Sequence, residues 1–136
     1  MTHERFESDA EQFACHAARL LADTRCENVA VLDVRGLSQI TDYFVVATGT
    51  SERQMKSVSG DLKDLAAHEG QSVFRAEGRG GSNWVVMDFV DVVSHLFTAD
   101  QRAYYDLESL WGDARRVDWQ GRTEPGQFAW LVREKR

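Results

Sequence analysis

Asp88 and Asp91 stand three residues apart, with Asp106 and Glu108 further along the chain. Carboxylates gathered in this way can hold divalent cations when they converge on one face. Along a continuous strand, positions i and i+3 point to opposite faces because the side-chain period is two. A turn between them would restore convergence, but no residue pattern demands it. Thr48-Gly49-Thr50-Ser51 lies between an apolar run and a helical one, where backbone N–H groups and the helix dipole can hold an anion. The Walker lysine and the spaced-glycine dinucleotide pattern are both missing there, which favours a plain N-cap turn. Glu77-Gly78-Arg79-Gly80-Gly81 is glycine-rich but precedes a strand, the reverse of the order a phosphate cradle needs. A mobile hairpin loop with Arg79 at its tip is expected instead. His95 shares a strand face with Val93 and Phe97, and spacing pairs it with no Ser or Cys nucleophile. A packed, hydrogen-bonded imidazole is expected rather than a general base. Cys15 and Cys26 are too few for a disulfide framework or a thiolate cage, and His3, His16 and His68 are scattered. Cys15 is expected to be a core thiol. No metal, cofactor or catalytic set is expected.

The elements around these residues follow from periodicity. Phe6, Ala10, Phe13, Ala14, Ala17, Leu20 and Leu21 recur at helical spacing, with Glu7, Glu11 and Arg19 on the other face. A helix is expected from about Glu4 to Thr24. Val29 to Val34 reads as a strand, and Tyr43-Phe44-Val45-Val46-Ala47 as a second, buried on both faces because its apolar run does not alternate. Ser51 with Gln54 fits a capping box opening a helix that carries Met55, Val58, Leu62, Leu65 and Ala66 and stops at Gly70. A strand begins at Val73-Phe74. Two more follow, from Trp84 to Asp88 and from Asp91 to Phe97, as an antiparallel hairpin or one bent strand, since Phe89-Val90 is poor turn chemistry. Thr98 with Gln101 opens a short last helix carrying Tyr104, Leu107, Leu110 and Trp111. The order α-β-β-α-β-β-β-α gives an α/β class bordering on α+β, a mixed sheet flanked by helices.

The 136 residues suit one domain. With 16 Lys and Arg against 22 Asp and Glu the net charge is -6, which argues against a broad phosphate-binding surface. No apolar run reaches the roughly 18 residues of a membrane helix, and the N-terminus resembles neither a secretory signal nor a transit peptide. A soluble cytoplasmic protein is expected. Charge is uneven: residues 114–136 hold six bases and three acids, whereas the rest of the chain is acidic. A boundary is therefore expected near Asp113, with a basic tail beyond it. Trp119, Phe128 and Trp130 are too apolar for a solvated tail, so they either fold back on the domain or dock on a partner. Between Trp84 and Trp111 aromatics and acids mingle, which suits docking on a basic protein surface. Tyr104 and Trp111 share a helix face with Leu107 and belong to the core on that spacing. Tyr105 and Glu108 are the better contact candidates.

Three ordered segments carry a resemblance to a known family. Asp42-Tyr43-Phe44-Val45-Val46-Ala47-Thr48-Gly49-Thr50-Ser51 followed by Arg53-Gln54 is one, and the run from Trp84 through Asp88, Asp91 and His95 to Phe97 is another. The third is Tyr105-Asp106-Leu107-Glu108-Ser109-Leu110-Trp111-Gly112-Asp113-Ala114, with Glu77-Gly78 also in place. Together they resemble the ribosomal silencing factor (Iojap-related) family, over about Phe13 to Ala114. The resemblance implies a nucleotidyltransferase-like fold without that enzyme activity and without a cofactor. It implies a translational repressor that binds the large ribosomal subunit at its protein number fourteen and blocks joining of the small subunit. A role in large-subunit biogenesis and a homodimer in the free state are also implied. On this reading residues 1–114 form the silencing-factor domain and 115–136 a basic tail. The tail either touches ribosomal RNA through Arg115, Arg116, Arg133, Lys135 and Arg136 or is a disordered extension. Trp84, Asp88, Asp91, Tyr105 and Glu108 are the expected partner-binding residues, with Asp42 and His95 supporting their geometry. Two alternatives stay open: a nucleotidyltransferase-like enzyme using Thr50, Ser51 and the Asp88/Asp91 pair, and an assembly scaffold that leaves before translation. Val90 departs from the family, standing where many members have glycine and so altering the bend between the two strands. Ser94 departs as well, where an apolar residue is usual.

Overall fold

The computed structural model describes residues 6–79, 83–105 and 112–133, with the side chains of all but 77–79, 103–105 and 133. Helix α1 (Asp9–Asp23) is followed by strands β1 (Glu27–Asp33) and β2 (Tyr43–Thr48), helix α2 (Glu52–His68), and strands β3 (Arg75–Arg79), β4 (Trp84–Asp88) and β5 (Val92–Phe97). Helix α3 (Ala99–Tyr105), strand β6 (Arg115–Arg116), a 3₁₀ turn (Gln120–Arg122) and helix α4 (Ala129–Arg133) complete the order. The six strands form one sheet in the order β3-β4-β5-β2-β1-β6. Among the described strands β2 and β5 run parallel and the other pairs antiparallel. A parallel pair needs a crossover, and α2 with the β3–β4 hairpin supplies it. The mixed sheet and the order of the first eight elements are those expected.

Local signals set the helix starts. Ser51 caps α2, its Oγ accepting from Gln54 N at 3.0 Å, while Gln54 Oε1 accepts from Thr50 N at 3.1 Å. This is the expected capping box with its return bond shifted back by one residue. Helix α1 begins at Asp9 instead of Glu4, because Ser8 is extended and its Oγ accepts from Glu11 N at 3.1 Å. Central strand β2 is buried on both faces, with Tyr43, Val45, Val46 and Ala47 all at 0% exposure. Tyr43, Val45 and Ala47 share one core with Phe13, Leu20 and Leu21 of α1, Met55, Leu62 and Leu65 of α2, and Met87 and Leu96. Ser94 is buried level with Val45 and Met87.

The boundary expected after Ala114 does not separate a core from a tail. Val117, Trp119, Phe128 and Leu131 belong to the same hydrophobic cluster as α1 and α2. Arg115 and Arg116 pair with Asp33 and Leu32, adding a strand to the edge of β1. The physical reason lies on α1. Glu11, assigned by periodicity to the solvent face, is 0% exposed and accepts from the hydroxyl of Tyr43 and from Arg122 and Arg115. Arg19, assigned to the same face, donates through Nε to Thr123 Oγ1 at 3.0 Å and lies over the Trp119 ring. The polar side of the helix is thus covered by the C-terminal segment. Arg115, one of the five bases proposed for RNA contact, is turned inward to Glu7, Glu11 and Asp33. Lys135 and Arg136 lie outside the described residues.

Asp33 anchors this cluster from the sheet, accepting from Arg35 N, Nε and Nη2 and from Arg115 Nη2 at 2.9 Å. The Arg35 guanidinium, more than any other neighbour, pulls the Asp33 carboxyl down to about 2. A depressed carboxyl contributes stability that is present above its unfolded value near 4 and lost as pH falls toward 2. Asp33→Asn is therefore expected to flatten the acid limb of urea stability between roughly pH 4 and 2. The loss near neutral pH should be about 1–2 kcal/mol, discounted because both arginines are partly solvated. An unchanged acid limb would place the stabilising charge elsewhere.

Candidate docking surface

On β4 and β5 the side chains alternate, so Trp84, Val86 and Asp88 lie on the sheet face opposite the α1–α2 core, paired with Phe97, His95 and Val93. Trp84 Nε1 donates to His95 Nδ1 at 3.2 Å. Indole is a donor only, so this bond holds Nδ1 unprotonated and places the imidazole proton on Nε2. The Phe97 ring stacks on Trp84 with centroids 5.0 Å apart, and Phe44 meets His95 edge-on at 5.2 Å. His95 is the packed, hydrogen-bonded imidazole expected, and it orients the half-buried indole.

The carboxylates gather at one end of the sheet. Asp88 Oδ1 accepts from Val90 N at 2.7 Å, closing the β4–β5 turn. This makes a hairpin, the first of the two readings. Phe89 tucks inward against Phe13, with ring centroids 4.9 Å apart. Val90 takes φ +77°, the left-handed conformation that glycine adopts freely. The turn thus keeps a glycine-type backbone with a β-branched residue in it. Asp91 O accepts from both Asp42 N and Tyr43 N at 3.1 Å, and Asp42 O accepts from Val34 N at 2.9 Å. Asp42 therefore ties the turn to β2 and β1, while the side chains of Asp88 and Asp91 face outward to differing degrees.

The expected binding residues do not form a single cluster. Asp42, Asp88 and Asp91 come together; Trp84 sits at the other end of β4, about 13 Å away at strand rise. It neighbours the start of α3, where Thr98 N bonds Asn83 O at 2.9 Å. Arg102 fixes that helix by donating to Asn28 O and to Thr48 Oγ1. Tyr105 ends α3, with only its backbone described, and Glu108 lies outside the described residues, as do Leu107, Trp111 and the Gly80-Gly81 loop. Three apolar residues were not among the expected contacts. Ile40 is 83% exposed, Phe74 67% and Val90 54%. Phe74 N bonds Asp88 O at 2.8 Å, and Ile40 lies two residues before Asp42. The one available signal was a β-branched residue in a tight turn.

The Thr48–Ser51 turn directs its donors inward: Gly49 N to Phe97 O at 2.7 Å and Thr50 N to Gln54. A Cβ at Gly49 would come within 2.2 Å of Met55 Cγ, so glycine serves packing there. The two thiols are buried and desolvated, with Cys15 pushed up to about 12 and Cys26 to about 11. Among the described residues no three His, Cys, Asp or Glu side chains are placed to hold a metal ion. No helix among them is long and apolar enough to cross a membrane.

A family model described as ribosomal silencing factor during starvation matches residues 7–131, so the C-terminal segment lies within it. The ribosomal silencing factor of Halalkalibacterium halodurans is 41% identical over 105 residues, covering 77% of this chain and 90% of that protein. A crystal structure of a Chromobacterium violaceum protein superposes with a TM-score of 0.69 at 32% identity, covering 74% of this chain and 84% of the other. The mouse protein named mitochondrial assembly of ribosomal large subunit protein 1 is 30% identical over 95 residues, covering 68% of this chain and 42% of that protein.

Proposed function

Since the chain belongs to the ribosomal silencing factor family, we propose that it binds the large ribosomal subunit through protein number fourteen and blocks subunit joining by occupying the joining face. It acts in the cytoplasm by exclusion rather than by chemistry, and pairs into a homodimer when free. The observation that supports this best is the grouping of Asp42, Asp88 and Asp91 at one end of the sheet, joined by hydrogen bonds to the backbone. With their backbones tied together and the Asp88 carboxylate bonded to Val90 N, the three acidic residues suit the basic side chains of a ribosomal protein. Trp84, ordered by His95 and Phe97, provides an aromatic contact further along the same face, and Tyr105 and Glu108 are proposed to add to it.

The test is co-sedimentation with purified large subunits, followed by addition of small subunits. Binding with loss of joined ribosomes is the expected result. Affinity should fall as salt rises, because exposed charges are screened beyond about 10 Å at 0.1 M. Asp88→Asn with Asp91→Asn should weaken binding about tenfold at low salt and flatten that dependence. Affinity that stays constant across ionic strength would sink the electrostatic account. An assembly role is a second reading, favoured by the name of the mouse relative. It predicts association with immature particles and none with mature large subunits.

A further inference from the structure

Val90 is an exposed β-branched residue held at φ +77°. That backbone region is costly for an L-residue with a branched Cβ and free for glycine. Folding gains little from this side chain, since more than half of it is in water. The conformation is nonetheless over-determined, by Asp88 Oδ1 on Val90 N and by the two amides that bond Asp91 O. Strain retained where the side chain touches little of its own protein is a mark of a contact made elsewhere. At the same end of the sheet Ile40 is 83% exposed two residues before Asp42, and Phe74, whose N–H bonds Asp88 O and whose ring lies under the Arg75 guanidinium, is 67% exposed.

We infer that Val90, Ile40 and Phe74 are the apolar anchors of the docking surface, inserting into an apolar depression of a basic protein partner while Asp42, Asp88 and Asp91 meet the cations around it. This rests on the docking reading above and adds where its affinity resides. In strand order this end of the sheet presents Phe74, Asp88, Val90, Asp91, Asp42 and Ile40, so apolar and acidic groups interleave along it, and both kinds of contact are available to one partner. A second copy of the chain is the poorer occupant, because two such ends would oppose three aspartates to three aspartates in a protein of net charge -6.

Val90→Gly separates folding from docking. Glycine relieves the strained φ, so Tm should rise by a few degrees. Binding to large subunits should nevertheless weaken about tenfold, with the salt dependence unchanged because no charge is altered. Ile40→Ser with Phe74→Ser should weaken binding by a similar or larger factor at a Tm near that of the parent. Unchanged binding in both variants would overturn the anchors and leave the acidic docking surface standing. A wild-type chain that never sediments with large subunits would remove the docking reading and this inference together. If the variants abolish a concentration-dependent dimer in sedimentation while subunit binding persists, the patch belongs to self-association and the inference is wrong.

Discussion

A chain ended after Ala114 is expected to show no cooperative unfolding transition. The cut removes Val117, Trp119, Phe128 and Leu131 from the shared core, bares the edge of β1, and leaves Glu11 without Arg115 and Arg122. Each large buried side chain is worth about 2–5 kcal/mol on deletion. A domain of this size has about 5–15 kcal/mol in all. Losing four such residues with a strand and a buried charge cluster exceeds that. Trp119→Ala gives the graded version. The ring is 7% exposed, donates through Nε1 to Val29 O at 3.2 Å and lies under the Arg19 guanidinium. The variant should fold with a loss of about 3–5 kcal/mol in urea. A truncated chain that melts sharply at the parent temperature would show that residues beyond 114 are an appendage.

Glu11→Ala should cost nearly as much as Trp119→Ala, through a single carboxylate. The side chain is fully buried, receiving the Tyr43 hydroxyl at 3.2 Å, Arg122 Nη1, and Arg115 Nη2 at 3.5 Å. Removing one partner of a buried charge network typically costs about 3–5 kcal/mol, because the remaining charges stay desolvated and unpaired. Arg122 and Arg115 retain some solvent, which places the expectation at the lower end. Glu11→Gln preserves the shape and should lose less. A double-mutant cycle with Arg122→Met isolates the pair, with a coupling of at least about 1 kcal/mol expected from urea midpoints. A loss under about 0.5 kcal/mol for Glu11→Ala would mean that water replaces the carboxylate. Proteolysis should also become faster within 115–133, since Glu11 holds that segment to α1.

Features written in local spacing were legible in the sequence. The Ser51–Gln54 cap, the buried run Tyr43–Ala47 and the packed His95 each depend on neighbours within a few residues or on a period of two. Glu11 and Arg19 were misplaced for the opposite reason. Periodicity assigns a charged residue to solvent, whereas their partners Arg122 and Thr123 lie 111 and 104 residues away. The basic composition after Asp113 suggested a tail, because counting charges does not reveal that Arg115 faces three carboxylates. Of the candidate surface, the aspartates were legible but their grouping was not. It depends on Asp91 O receiving amides from a strand that precedes it by almost 50 residues, a pairing no spacing announces. Ile40 and Phe74 were missed because exposure is a property of the assembled sheet end.

The pairing of β6 with β1 also orders events during synthesis. Arg115 and Asp33, joined at 2.9 Å, are separated by 82 positions in the chain. While the polypeptide emerges, β1 can find β2 early, but its outer edge waits for the partner made last. An open strand edge is a template for pairing with other chains. A slow-codon pause placed before the Arg115 codon would prolong that interval and should raise the tendency of the nascent protein to aggregate.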